Sequence, residues 1–289
     1  METSPISAKQ NKRNISGSIK AQAAGVLPSL AIMPINLVLI EKMSKLNNSL
    51  TKDQVELVNN GAKKALSEIT NLGAKGVKIA NAANENEIFL LSDLFPSLKK
   101  LPKTILNIIS PTDAAANGKN AFFAGATNQV LVNKEKFSLT TFHELGHAFN
   151  FNNTNFWKSM QKARNPLMAI ASLIAVIPAL TKEAKAKDGE ELTKKQKINN
   201  FIRNIAPVAS GAAMLGIAAE EAMATTRGNQ WAKQLLEPSL AKKVAKSNAY
   251  GFISYVLVAL ATGVSSYVCK KVKDSSDEKR ALKSQQNIS

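Results

Sequence analysis

Thr141-Phe142-His143-Glu144-Leu145-Gly146-His147-Ala148 is the stretch on which the reading of this chain turns. It is an H-E-x-x-H run, and His143 and His147 are the only two histidines among 289 residues. Residues four apart on a helix lie one turn above each other, so both imidazoles can reach one metal ion. Glu144, between them, falls on the adjacent flank, where a carboxylate can activate a water and shuttle its proton. Two histidines meeting by accident on a surface helix is the competing reading, and a chain so poor in histidine weighs against it.

The flanks describe a buried helix. Ser138 can cap its N-terminus, and Leu139, Phe142, Gly146 and Phe149 recur at helical spacing. Asn150, Asn152 and Asn153 offer stop signals. Gly146 is a poor helix former, but its missing side chain lets another backbone or a ligand come close.

Working upstream, Asn128–Val132 reads as a short strand ending at Asn133, and Thr104–Ile109 as another β-prone run before Ser110-Pro111. Between them lies the turn-rich segment 117–125, with Asn120-Ala121-Phe122. A strand just before a metal-binding helix could offer a free edge to an extended peptide. Thr51-Lys52-Asp53-Gln54 reads as a capping box opening a helix to about Thr70, ended by Asn71-Leu72-Gly73. A shorter helix is expected over Glu87–Leu94. Residues 1–20 are polar and basic and read as disordered. The apolar segment 21–40 follows, interrupted by Pro28 and Pro34, and is either a membrane anchor or a broken, docked helix.

Downstream, Pro166–Leu180 and Ile205–Ala219 are two apolar runs near the lower length limit for a membrane span, and buried soluble helices are their alternative. Ala249–Cys269 is longer, uncharged and edged by Tyr250, Tyr255, Tyr267 and Lys270-Lys271, the best span of the set. Gly211, Gly216, Gly251 and Gly263 suit close helix packing in lipid.

Composition narrows the function classes. The formal charge of +17 invites a nucleic-acid partner. The lysines are scattered, however, and two tryptophans and three tyrosines offer little stacking surface, so no nucleic acid is expected. A basic balance equally suits loops facing anionic lipid. Cys269 is the single cysteine, which precludes an intrachain disulfide and fits a reducing compartment or the bilayer.

A catalytic zinc site commonly has three protein ligands and an open position. With no third histidine, the third ligand falls to a carboxylate, and Glu220-Glu221 supply two candidates. If 166–180 and 205–219 both cross the membrane, the chain leaves the His143 side and returns to it with these glutamates. That is the parity a joint site requires.

At this point residues 105–230 resemble the membrane-embedded zinc metallopeptidases of the HtpX and CAAX-prenyl-endopeptidase type, within the gluzincins. The resemblance rests on Asn120-Ala121-Phe122 with Gly125, the strand to Val132, His143-Glu-Leu-Gly-His147, the apolar hairpin, and Glu221-Ala-Met-Ala224-Thr225 with Gly228. It implies an α+β zincin-like core within a mainly α chain, with a small sheet beside the metal helix and several spanning helices. It implies one Zn2+ per chain bound by His143, His147 and Glu221, the family spacing favouring Glu221 over Glu220. It implies Glu144 as general base in a metalloendopeptidase. Thr225 stands where the family has aspartate, a position that supports a ligand histidine through hydrogen bonding. Arg227 either steadies a transition-state oxyanion or anchors the chain at the membrane surface.

The expected domains are 1–20, 21–40, a peptidase domain 41–230 containing hairpin 166–219, and 231–289 with helix 249–269 and a basic tail. The expected function is hydrolysis of peptide or membrane-protein substrates by a multi-pass membrane protein in the lipid bilayer. Its alternatives are an inactive membrane scaffold of peptidase-like fold, or a basic α-rich binding protein. The lysine distribution places the metal side outside the cytoplasm if 21–40 spans. The resemblance implies the cytoplasmic side, and that is the side expected here.

Overall fold

The computed structural model describes residues 15–84, 95–186 and 190–286. The chain is mostly helical, and the described residues hold one three-stranded sheet and four long apolar helices. Two compact units divide it: residues 34–164 with 215–257, and residues 15–33, 165–214 and 258–286.

The first unit carries the sheet and the H-E-x-x-H helix. It opens with the C-terminal part of helix α1 (Ile15–Asn48) and with α2 (Lys52–Lys64), which continues as a π-helical turn over Ala65–Ile69. The capping box is formed: Gln54 N donates to Thr51 Oγ1 and Thr51 N to Gln54 Oε1. The helix stops where expected, with Asn71 in the left-handed region at φ 52°.

Strand β1 (Lys78–Asn81) pairs in parallel with β3 (Gln129–Val132), and β2 (Ala121–Ala124) pairs antiparallel with the other side of β3. The strand expected over Asn128–Val132 is therefore the middle one, with both edges taken. The outer strands are β1 and β2, the latter in the segment expected to be turn. The other β-prone run is a helix, α3 (Lys103–Ile109), followed by α4 (Pro111–Ala116), whose N-cap is Ser110. Four apolar residues in a short run between prolines carry no period that separates strand from helix. The expected helix over 87–94 lies outside the described residues.

Helix α5 (Thr141–Asn153) follows a 3-10 turn over Ser138–Thr140. Ser138 does not cap it; its hydroxyl donates to Asn47 Oδ1, and Asn47 also accepts from the Leu139 amide. The core of this unit gathers Val58, Ala62, Leu72, Val130, Leu139, Phe142, Leu145 and Ala148 with Trp231 and Leu240.

The second unit is built from stretches of four helices: α1, α6 (Asn155–Leu180), α7 (Lys194–Leu235) and α8 (Pro238–Gln286). Residues 15–20, expected to be disordered, are the start of α1, which runs unbroken through Pro28 and Pro34. Each proline removes one helical hydrogen bond, a loss the rest of so long an apolar helix tolerates. Only 11% of the most apolar window of α1 is buried, and Leu27, Leu30, Leu173, Val208 and Leu260 are exposed. Large apolar side chains presented to the outside along four helices of this length are what a bilayer accommodates. Gly211 and Gly263 meet backbone to backbone, with 3.6 Å from the position of a Gly211 Cβ to Gly263 Cα, the close packing expected of small residues. Arg203, fully buried, pairs with Asp274 at 2.5 Å.

Candidate metal centre

The site lies within the first unit, where α5 crosses α7. One turn of α5 places His143 Nε2 and His147 Nε2 3.0 Å apart. The opposite face of α5 packs Phe142, Leu145 and Ala148 into the core, which fixes the rotation of the helix. From α7 come Glu220 and Glu221, with Thr225 one turn beyond.

Two glycines make this crossing. A Cβ on Gly146 would lie 2.3 Å from Ala224 O, and one on Gly228 would lie 2.5 Å from Phe142 O. The two backbones thus touch directly, closer than any side chain permits. That contact brings the carboxylates of α7 to the imidazoles of α5.

Three atoms converge. Glu221 Oε2 is 3.2 Å from His143 Nε2 and 3.4 Å from His147 Nε2, closing a triangle with the two nitrogens. Ligands about 2.0–2.1 Å from a tetrahedral ion stand roughly 3.3 Å from one another, so the triangle has the size a metal ion demands. The remaining nitrogens are held from behind. His147 Nδ1 lies 3.0 Å from Glu220 Oε1, and His143 Nδ1 lies 3.1 Å from Thr225 Oγ1. A carboxylate only accepts, so His147 Nδ1 donates to Glu220, which leaves Nε2 as the nitrogen that a metal ion can take in place of a proton. Three such atoms this close are held together by a proton on an imidazole or by a cation between them. The donor set therefore fits a metal ion, as do the cluster's dimensions and burial.

The two glutamates divide the work. Glu220 sits behind the ring of His147 and accepts from Asn150 Nδ2 at 2.8 Å and Gln161 Nε2 at 2.7 Å. Glu221 faces the triangle with Oε2, while its other oxygen accepts from Arg164. Arg164 in turn lies 4.8 Å from the ring centre of Tyr255. Asn150 is legible as the residue three beyond His147. Gln161, Arg164 and Tyr255 carry no local signal, because only the chain's return along α6 and α8 brings them here. Arg227 is held by Asn150 Oδ1 and packs 4.7 Å from the ring centre of Phe149; it is not among the residues lining the cleft.

That cleft, of about 280 Å³, is bounded by His143 and Glu144, by Asn120 and Ala121 at the start of β2, and by Gly251, Ser254 and Tyr255 of α8. Burial pushes the Glu144 carboxyl above its ordinary range, against the pull of His147 and His143. Burial by itself would lower His147, but the carboxylates of Glu221 and Glu220 outweigh it and hold the imidazole well above its ordinary value. The site thus joins His143, Glu144, His147, Glu220 and Glu221, all buried, and can hold a metal ion beside an open cleft. No protein-family model, curated protein or solved structure matches the chain.

Proposed function

We propose that this protein is a zinc-dependent endopeptidase of the membrane, with a zincin-like core of the gluzincin kind. The observation that carries the reading is the triangle of His143 Nε2, His147 Nε2 and Glu221 Oε2, with the other imidazole nitrogens anchored on Glu220 and Thr225. Those three side chains would hold the ion. Bound there, zinc would supply Lewis acidity and lower the pKa of a water ligand to about 7.

The chain's own groups do the rest. Glu144, buried at the cleft wall with a raised pKa, accepts the proton of the attacking water and returns it to the leaving amine. Glu220 accepts from Nδ1–H of His147, and Thr225 Oγ1, hydrogen-bonded to His143 Nδ1, holds that ring so that both Nε2 atoms face the ion. The outer edge of β2, which begins at the cleft, is suited to pair with the backbone of an extended substrate. Four long apolar helices suit membrane proteins and hydrophobic peptides as substrates. The cytoplasmic face is our assignment for the site; Thr154→Cys should accept a membrane-impermeant maleimide only after the membrane is opened to it from that face.

The test is metal stoichiometry joined to turnover, on detergent-purified chain. We expect about one zinc per chain in wild type, retained in Glu144→Gln and lost in Glu221→Ala. Peptide hydrolysis should fall by about 10²–10⁴ in Glu144→Gln. A folded wild type that binds no zinc on reconstitution would end the proposal.

A further inference from the structure

We propose that Arg164 is a positioning residue of the metal centre, which confines Glu221 to one ligating oxygen and so keeps a coordination position free for substrate. The proposal rests on the metallopeptidase reading above and deepens it. Gln161 and Arg164 stand three apart on α6, hence on one face of it. Each takes one glutamate of α7: Gln161 Nε2 donates to Glu220 Oε1 at 2.7 Å, and Arg164 Nη2 donates to Glu221 Oε1. Glu221 is fully buried, so its immediate neighbours decide how its two oxygens are used. Oε2 closes the triangle with the imidazole nitrogens, at 3.2 and 3.4 Å, while Oε1 is drawn off to the guanidinium.

The grip is one-sided. A guanidinium can clasp both oxygens of a carboxylate in a fork, but here one nitrogen meets one oxygen. The ring centre of Tyr255, 4.8 Å from Arg164 Cζ, backs the guanidinium and sets its approach. A catalytic zinc has three protein ligands and one open position, and sometimes reaches five-coordination in the transition state. If Glu221 turned both oxygens to the ion, it would take up that room. A guanidinium stays charged at every working pH, so the hold on Oε1 persists with or without an ion. It also offsets part of the negative charge that Glu221 brings, which keeps the centre a stronger Lewis acid. Arg164 is not among the residues that carry the family resemblance, so the device belongs to this chain.

The test compares wild type, Arg164→Met and Arg164→Lys as full-length chain in detergent, loaded with cobalt(II) for visible spectra and with zinc for affinity and turnover. Wild type should show the intense visible bands of low-coordinate cobalt. In Arg164→Met those bands should weaken as Glu221 adds its second oxygen, while zinc affinity holds or rises. Acetohydroxamate, which needs free positions on the ion, should bind about 10–100-fold more weakly, and peptide hydrolysis should fall by a similar factor. Arg164→Lys, which keeps a charged donor, should retain most of the wild-type spectrum. Arg164→Gln, neutral and too short to reach Oε1, should reproduce Arg164→Met and replaces it should methionine compromise folding. An unchanged cobalt spectrum and hydroxamate affinity in Arg164→Met overturn the proposal. Loss of zinc affinity in Arg164→Met and Arg164→Lys alike also overturns it, since Arg164 then only secures the fold. A spectrum that responds to Arg164→Met in a chain that cleaves no peptide supports the positioning role and overturns the peptidase reading. Failure of wild type to bind either metal overturns the two together.

Discussion

Gly146→Ala is the sharpest perturbation available, because one carbon atom opposes the contact that assembles the site. The new Cβ would lie 2.3 Å from Ala224 O and 2.8 Å from Ala224 Cα, both backbone atoms that cannot rotate away. Restoring a separation of about 3.4 Å requires α5 and α7 to part by roughly 1 Å at this point. Glu221 and Thr225 flank Ala224 on α7, so the shift moves the third ligand and the support of His143 together. Misplacement by 1 Å commonly costs about 10²-fold in a preorganised site. Alanine's better helix propensity returns about 1 kcal/mol of stability, against 1–3 kcal/mol for overpacking. The folded state should therefore survive with a lower melting temperature, while zinc affinity falls about 100-fold. Zinc competition against a chromophoric chelator measures this, with Gly251→Ala as a control that meets no backbone. Wild-type zinc affinity in Gly146→Ala would refute the argument that the backbone contact seats the ligands.

Three further outcomes follow from the same geometry. Thr225→Val should weaken zinc binding about 10–100-fold by releasing His143 Nδ1, and Thr225→Asp should match or exceed wild type, both read by the same competition. In metal-free chain the raised pKa of His147 stabilises the fold fully below about pH 6.5 and is lost as pH rises through the elevated value. Thermal melts in chelator should thus decline with rising pH through that window, whereas zinc affinity should climb as the competing proton leaves. Asp274→Ala should destabilise by about 3–5 kcal/mol, because it strands the fully buried guanidinium of Arg203, and Arg203→Met with Asp274→Leu should recover most of the loss in denaturant melts.

The metal helix was legible because its signal is local: two histidines one turn apart, with Glu144 between them. So was α2, where Thr51 and Gln54 satisfy each other within four residues. Gly146 was legible as a close approach, though not as the partner of Gly228. What escaped was decided by residues far apart in sequence. β1 is four residues of mixed character, and only its parallel pairing with β3 makes it a strand. Lys103–Ile109 was expected as a strand and is a helix, and Ala121–Ala124 was expected as turn and is an outer strand, since runs so short take their form from their neighbours. Glu220 and Glu221 are adjacent in the chain, and only the spacing of the resembling family favoured Glu221. One oxygen behind the ring of His147 and one in front of it distinguish them, and only the crossing of α5 with α7 creates that difference.

The scarcity of histidine has a practical side. Both imidazoles of the molecule stand in the candidate metal centre, with Nδ1 anchored and Nε2 turned inward. A sample carrying 15N only in histidine would give a spectrum with no bystanders: four ring nitrogens, all of them reporters of one locus. The two Nε2 resonances should move most when a diamagnetic ion enters, and Nδ1 of His147 should keep its attached proton. Occupancy, protonation and tautomer could then be followed in the intact membrane-solubilised chain, without an engineered label, provided that purification avoids a polyhistidine tag.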